Sequence, residues 1–280
     1  MLLLIGKMVY NIRSKSLGGI YLTEIVKQKK IIGSVVKAYH IIDYIAEQEI
    51  EQGATEISEA LGYGVSATYH LLNTLKECNL ITQNKSTKKY QLSLRMWQIG
   101  MSAYRQNHIS IALKPFLIDL KNKTGETSNL TVLDRDKIVY IAQEESDKLI
   151  KMFTQTGASA PLHCTAAGKI FLAYKSKEKR EEILKNYKLA YFTENTITDK
   201  GELLRELEKV KNLGYGFDIE ERDEDVSCLA APIFGLQDEV IACLSISGPN
   251  TRFTDKNIKE WINIITDIAK EATDFLISSK

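Results

Sequence analysis

The chain has 280 residues, 44% of them hydrophobic and 26% charged, which are the proportions of a folded protein with room for two domains. Its longest apolar stretch at the start, Met1 to Ile5, is far short of the roughly 20 residues a spanning helix needs, so membrane and exported proteins are disfavoured and a cytoplasmic protein is expected. The net charge of +1 is unevenly divided: residues 1–105 carry 13 Lys and Arg against 8 Asp and Glu, and the remainder carries 24 against 28, as expected if one half faces phosphate and the other does not.

Residues 1–33 are basic, with Lys7, Arg13, Lys15, Lys27, Lys29 and Lys30 against Glu24, and show no helical stripe. They are expected to form a disordered arm, unless translation starts later, at Met8. From Ser34 the apolar residues Val35, Ala38, Ile41, Ile42 and Ile45 recur three and four apart, which predicts a helix capped by Ser34 and running to Glu47. A short second helix is predicted from Thr55 as cap, with Ile57, Ala60 and Leu61 inward and Gly62 as its stop. Ser66 is expected to cap a third helix with Thr68, Leu71, Leu72 and Leu75 inward, ending near Asn79. Two helices joined by so short a turn make a helix-turn-helix. The stretches Leu80-Ile81-Thr82 and Lys89 to Leu92 read as two strands around a basic loop, completing a winged helix-turn-helix over residues 34–95.

Helical spacing resumes over residues 93–123, interrupted near Asn107 and closed at Gly125, predicting a linker helix at 96–108 and then a second domain over 109–280. There, strands are predicted at Asn129 to Leu133, Lys137 to Gln143, Lys151 to Gln155, Tyr215 to Glu220, Cys228 to Phe234 and Val240 to Ser247. Helices are predicted at Thr165 to Tyr174, Lys200 to Leu213 and Thr254 to Ile277. The short turn Gly235 to Glu239 implies an antiparallel hairpin, hence an α+β domain rather than a doubly wound one.

If Leu71, Leu72 and Leu75 face inward, Ser66, Ala67, Tyr69, His70 and Asn73 face out, where a recognition helix would meet base edges. Backbone phosphates demand cations, and Lys85, Lys88 and Lys89 on the wing supply them. Taken alone these lysines read as a solvated turn; behind a helix-turn-helix they read as a grip on double-stranded DNA. The outward set has no Arg or Lys for guanine, so an A·T-rich operator is expected.

Several motifs together resemble the IclR family of bacterial transcription regulators. They are Ile57-Ser58-Glu59-Ala60-Leu61-Gly62, Tyr90 to Arg95 leading to Ile99-Gly100, Pro161 to Lys169, Gly214 to Asp218, Cys228 to Phe234 and Leu244 to Pro249. The resemblance implies a GAF-like effector domain behind the DNA-binding domain, dimers or tetramers on operator DNA, and control by a small organic acid. It also implies a regulator that is more often a repressor. Two departures stand out. Where family members usually carry Pro-Lys and His-Arg on the third helix, this chain has Gly64, Val65, Tyr69 and His70. A glycine common before the cysteine is replaced by Asp225, in the acidic run Glu220 to Asp225, whose mutual repulsion is expected to loosen that loop.

The start of the helix at Thr165, Ala166, Ala167 and Gly168 offers N–H groups and a positive dipole end to an anion, although small residues also serve tight packing. Ser245 and Ser247 stand two apart on a strand and so share a face, with Ile241 and Cys243. The resemblance implies that these serines line the effector pocket with Met152, Ala160, Ala166, Ala167, Asp218, Val226 and Cys228. The expected ligand is a small carboxylate bearing a hydroxyl or keto group, its carboxylate on the helix start without help from any lysine or arginine, and its hydroxyl on Asp218. No cofactor is expected. Cys78, Cys164, Cys228 and Cys243 form no metal or disulfide pattern. His163 beside Cys164 suggests a nucleophile only weakly, because neighbours in an extended segment point apart. A sensor acting through protein contacts, or a Cys/His enzyme, remain the alternative readings.

Overall fold

The structure, a computed structural model, describes residues 31–106, 108–152 and 154–278. The basic arm up to Lys30 and the expected helix break at Asn107 lie outside the described residues. The chain divides into two compact units between Met101 and Ser102.

In the first unit, α1 (Gly33–Ala46), α2 (Ala54–Leu61) and α3 (Val65–Glu77) pack with a hairpin of β1 (Ile81–Gln83) and β2 (Tyr90–Leu92). Their stripes converge on a small core of Ile41, Ile45, Ala54, Ile57, Leu72, Leu75, Ile81 and Tyr90. The caps differ from expectation. Ser34 and Ser66 lie inside their helices, which start from Ile32 and Gly64 without side-chain caps. Thr55 is likewise internal. Instead Glu56 reaches back to the N–H of Gly53 at 2.7 Å and serves the start of α2. Ala60 is exposed, and Ala54 and Ser58 take the buried places on α2. Gly62, at φ +66°, stops α2 in the left-handed conformation that glycine adopts without strain. The last helix of this stretch, α4 (Leu94–Gln106), leaves Leu94, Trp97 and Ile99 exposed.

The second unit is one six-stranded, wholly antiparallel sheet between two helical layers. It comprises α5 (His108–Thr124), β3 (Thr127–Asp134), β4 (Lys137–Glu144), β5 (Ser159–Pro161), α6 (Ala166–Ala173), α7 (Lys177–Lys185), α8 (Lys200–Leu213), β6 (Gly216–Ile219), β7 (Val226–Phe234), β8 (Val240–Pro249) and α9 (Asp255–Ser278). The strand order is β5-β4-β3-β8-β7-β6. Strand alternation sends Leu229, Ala231, Ile233, Ala242, Leu244 and Ile246 to a core with α5 and α9, and Ala230 and Cys243 to a second core with α6 and α8.

Three expectations fail here. Residues 151–155 form no strand where described, and the short β5 follows them instead. Helix α7 was not anticipated, because it is highly charged and buries only Leu184. Ile241 does not share the face of Cys243: Ile233 pairs with Ala242 but Phe234 with Val240, leaving Ile241 as an extra, bulged residue turned toward α5 and α9.

Candidate functional site

The exposed face of α3 carries Ser66, Ala67, Tyr69, His70 and Asn73, opposite the buried Thr68, Leu72 and Leu75. Beside it the wing loop is built by side chains. The Asn84 carbonyl accepts from the N–H groups of Ser86 (2.9 Å) and Thr87 (3.3 Å), while the Asn84 amide and Thr87 hydroxyl donate to Glu51. Lys85 and Lys88 are exposed, with no acidic partner among the described residues. Lys89 differs, because its Nζ lies 3.0 Å from Glu56 Oε1 and much of its charge is already matched.

The second unit holds a small, mostly enclosed cavity of about 30 Å³ where β6, β7 and β8 pass the start of α6. Thr165 caps that helix: its hydroxyl donates to Pro161 O (2.7 Å) and accepts from Gly168 N–H (3.2 Å). Gly168 lies so close to the backbone of Leu162 that a Cβ would overlap it, and a Cβ on Gly216 would come within 2.9 Å of Ala166 O. The first turn is thereby clamped between backbones. Ala166 and Ala167, whose N–H groups a helix leaves without an internal acceptor, line the cavity.

Asp218 is 3% exposed, and its Oδ1 accepts from the N–H groups of Glu221 (2.8 Å) and Arg222 (3.4 Å). Burial, reinforced by the charge of Glu221, outweighs these bonds and raises its carboxyl to about 7. Near neutrality it can therefore either donate or accept a hydrogen bond. Behind it runs a buried chain: Gln143 donates to Asn129, Asn129 donates to Ser247 Oγ at 3.2 Å, and the Cys228 thiol donates to the same oxygen at 3.2 Å. Burial also pushes the Cys228 thiol and the Tyr140 phenol well upward, so both are neutral donors at physiological pH. Arg222 closes one side, its guanidinium carbon 4.2 Å from the centre of the Phe192 ring and its Nη1 3.8 Å from Asp223.

His163 and Cys164, the weak candidates for nucleophilic chemistry, are spent on structure. The imidazole Nε2 donates to Ala190 O at 2.9 Å, and burial lowers the ring's basicity. Burial raises the Cys164 thiol to about 12, which leaves no thiolate at neutral pH.

Both units match known proteins. The IclR helix-turn-helix domain matches residues 34–85, and the C-terminal region of bacterial transcriptional regulator IclR matches residues 101–273. The HTH-type transcriptional regulator KdgR of Dickeya chrysanthemi is 34% identical over 253 residues, covering 90% of this chain and 83% of that one. The chain belongs to the IclR family of bacterial transcriptional regulators. The transcriptional repressor IclR of Escherichia coli is 30% identical over 244 residues, 86% of this chain and 89% of that one. The crystal structure of Thermotoga maritima IclR has a TM-score of 0.68 at 32% identity, covering 87% of this chain and 98% of that one. An IclR homologue of Microbacterium hydrocarbonoxydans, complexed with 4-hydroxybenzoate, shares the fold at a TM-score of 0.73 and 18% identity, over 87% of this chain and 98% of that one. An IclR-family chain is a DNA-binding transcription regulator, and no helix among the described residues is long and apolar enough to cross a membrane.

Of the pocket residues expected from the family resemblance, Met152, Ala166, Ala167, Asp218, Val226, Cys228, Ser245 and Ser247 line the cavity. Ala160 does not. It pairs with Ile138 across β5 and β4 and is buried in the core beneath α6. The residues missed are Ile138, Tyr140, Thr154, Thr165, Arg222 and Asp223. Two-residue spacing on β4 links Ile138 to Tyr140 and could have found the second from the first. Arg222 is a cationic side chain among the described residues of that lining. In the acidic run, where mutual repulsion was expected, two carboxylates have firm partners. Glu220 accepts from Asp225 N–H (3.0 Å) and the Asn250 amide (2.8 Å), and Glu221 pairs with the buried Lys169. Asp225 stands at φ +60°, which explains why glycine suits that position.

Proposed function

We propose that this regulator is a repressor whose operator binding is controlled by a small hydroxy- or keto-carboxylate held in the cavity at the start of α6. The observation that carries this reading is Asp218, a buried carboxyl that lines the same cavity as Ala166 and Ala167 at the start of α6 and has backbone N–H groups as its bonded partners. The helix start receives the ligand's carboxylate, whereas the Asp218 carboxyl and the hydroxyls of Ser245 and Ser247 match a hydroxyl or carbonyl. The Microbacterium hydrocarbonoxydans homologue offers a precedent, since it was complexed with a hydroxy-carboxylate. A cavity of about 30 Å³ is far smaller than the roughly 300 Å³ or more of a formed ligand pocket. A larger acid must displace the lining segments around Met152 and Arg222, and that displacement is a means of altering the protein's shape.

On the DNA side, Lys85 and Lys88 supply the phosphate contacts, with Lys89 contributing less, and Asn73 and Ala67 match adenine and a thymine methyl on an A·T-rich site. Self-association as dimer or tetramer is expected through α4, whose Trp97 is 66% and Ile99 42% exposed, with Met101 beside them. Two recognition helices then meet half-sites one turn apart. The protein is cytoplasmic, non-enzymatic and without a cofactor in this reading. Gel-shift on the promoter of its own operon tests it: a shift that hydroxy or keto acids reverse is expected. No shift would favour the rival reading of a sensor working through protein contacts, to which the uncharged outer face of α3 gives some weight.

A further inference from the structure

Among the described residues lining the cavity, Arg222 is the one cationic side chain. Its guanidinium lies over the Phe192 ring, which supports the flat face and leaves the N–H edge to a partner. Phe192 is itself held in place, because its N–H donates to Thr196 Oγ1 (3.1 Å) and that hydroxyl donates to Glu221 O (2.6 Å). The backbone of Arg222 is fixed from the other side by Asp218 Oδ1. The guanidinium's acidic neighbour is Asp223, its neighbour in sequence, at 3.8 Å and thus beyond hydrogen-bond reach; that side chain is half exposed. The nearby Glu221 is committed to Lys169. A supported fork of donors therefore stands at the cavity without a bonded acceptor among the described residues.

We infer that Arg222 is a specificity-determining residue that takes a second carboxylate, so that the effector is a hydroxy- or keto-dicarboxylic acid with one acid group on the start of α6 and the other on the Arg222 guanidinium. This rests on the reading of the cavity as the effector site. Asp218 lines the same cavity, where an ionised carboxylate would repel a diacid; its raised carboxyl, ready to hold a proton near neutrality, removes that conflict. The planar fork matches a carboxylate with two parallel bonds, which a lysine cannot reproduce. Asp223 is displaced from Arg222 by the incoming acid and turns to solvent.

Calorimetric titration of the full chain with pairs of acids of equal carbon number tests this: malate against α-hydroxybutyrate, α-ketoglutarate against α-ketovalerate, and glucarate against gluconate. The dicarboxylate of at least one pair is expected to bind about tenfold or more tightly than its partner. Arg222→Gln should abolish that preference and Arg222→Lys should retain only part of it. Melting curves of both variants report whether the fold is kept. Equal binding of both members of every pair, or a preference that survives Arg222→Gln, overturns the inference and leaves the cavity reading standing. Binding of none of the acids to the wild type overturns both.

Discussion

Two carboxylates buried in the same sheet domain are treated in opposite ways. Glu126, 0% exposed, ends the segment between α5 and β3 and meets Arg252 Nε at 2.6 Å and Lys148 Nζ at 2.6 Å, while Arg252 also donates to Ile150 O. Gly248 makes room for it, since a Cβ there would overlap the Glu126 carboxylate. Asp218, also buried, receives backbone N–H groups and, among the described residues, no cation within salt-bridge distance, and its carboxyl rises to about 7. A buried charge that is fully matched holds the fold. One left without a counter-charge beside a cavity is poised to meet something else.

That contrast sets the largest expected effect. Glu126→Ala removes the acceptor of two cations and should cost about 3 kcal/mol, the low end for a broken buried pair, because Arg252 and Lys148 retain 24% and 43% exposure and can regain water. Urea unfolding measures it. Asp218→Asn should do the reverse. A carboxyl whose folded pKa is raised binds its proton more tightly in the native state, so its contribution to stability falls as pH rises from about 4 to about 7 and is least favourable above. The Asn variant should therefore melt higher than wild type at pH 8, by a few degrees for each kcal/mol at about 2–4 °C, and lose that advantage at pH 5. Equal destabilisation by both substitutions would break the comparison.

The wing repeats the contrast at the surface. Lys89 is matched by Glu56, whereas Lys85 and Lys88 are not. Lys85→Ala and Lys88→Ala should each lower DNA affinity uniformly across sequences and reduce the slope of log affinity against log salt by about 1, with a smaller change for Lys89→Ala. Anisotropy titrations at several salt concentrations separate the three. The smallest effect belongs to Asp225→Gly. It relieves a left-handed aspartate at φ +60° but frees the unfolded chain, so the net change should stay below about 1 kcal/mol in thermal unfolding.

Helices and strands with period-bearing apolar stripes were legible, down to the hairpin of β7 and β8 and the outward set on α3. The caps were not, because Ser34, Thr55 and Ser66 have the right chemistry but the chain enters each helix one or two residues earlier. Helix α7 escaped for lack of an apolar stripe, and Ile241 was assigned to the wrong face because a bulge breaks strict alternation. At the cavity, the family motifs supplied the residues on α6, β6, β7 and β8. Arg222 escaped because it reaches the cavity from a loop, where no periodicity reports the direction of a side chain. The acidic run read as mutual repulsion because neither its partner Lys169, 52 residues away from Glu221, nor Asn250, 30 from Glu220, is visible from local spacing.

The central claim is that the uncompensated carboxyl at Asp218 and the open start of α6 form one effector site. Calorimetric titration of wild type, Asp218→Ala and Ala166→Leu with hydroxy and keto acids, alongside melting curves, tests it most directly. The Ala substitution is used because Asn would mimic the protonated carboxyl, its amide donating where the acid proton does. The account predicts about tenfold or more weakening for Asp218→Ala with an intact fold, and loss of binding for Ala166→Leu, whose side chain fills the approach to the helix N–H groups. Unchanged affinity in both variants would contradict it.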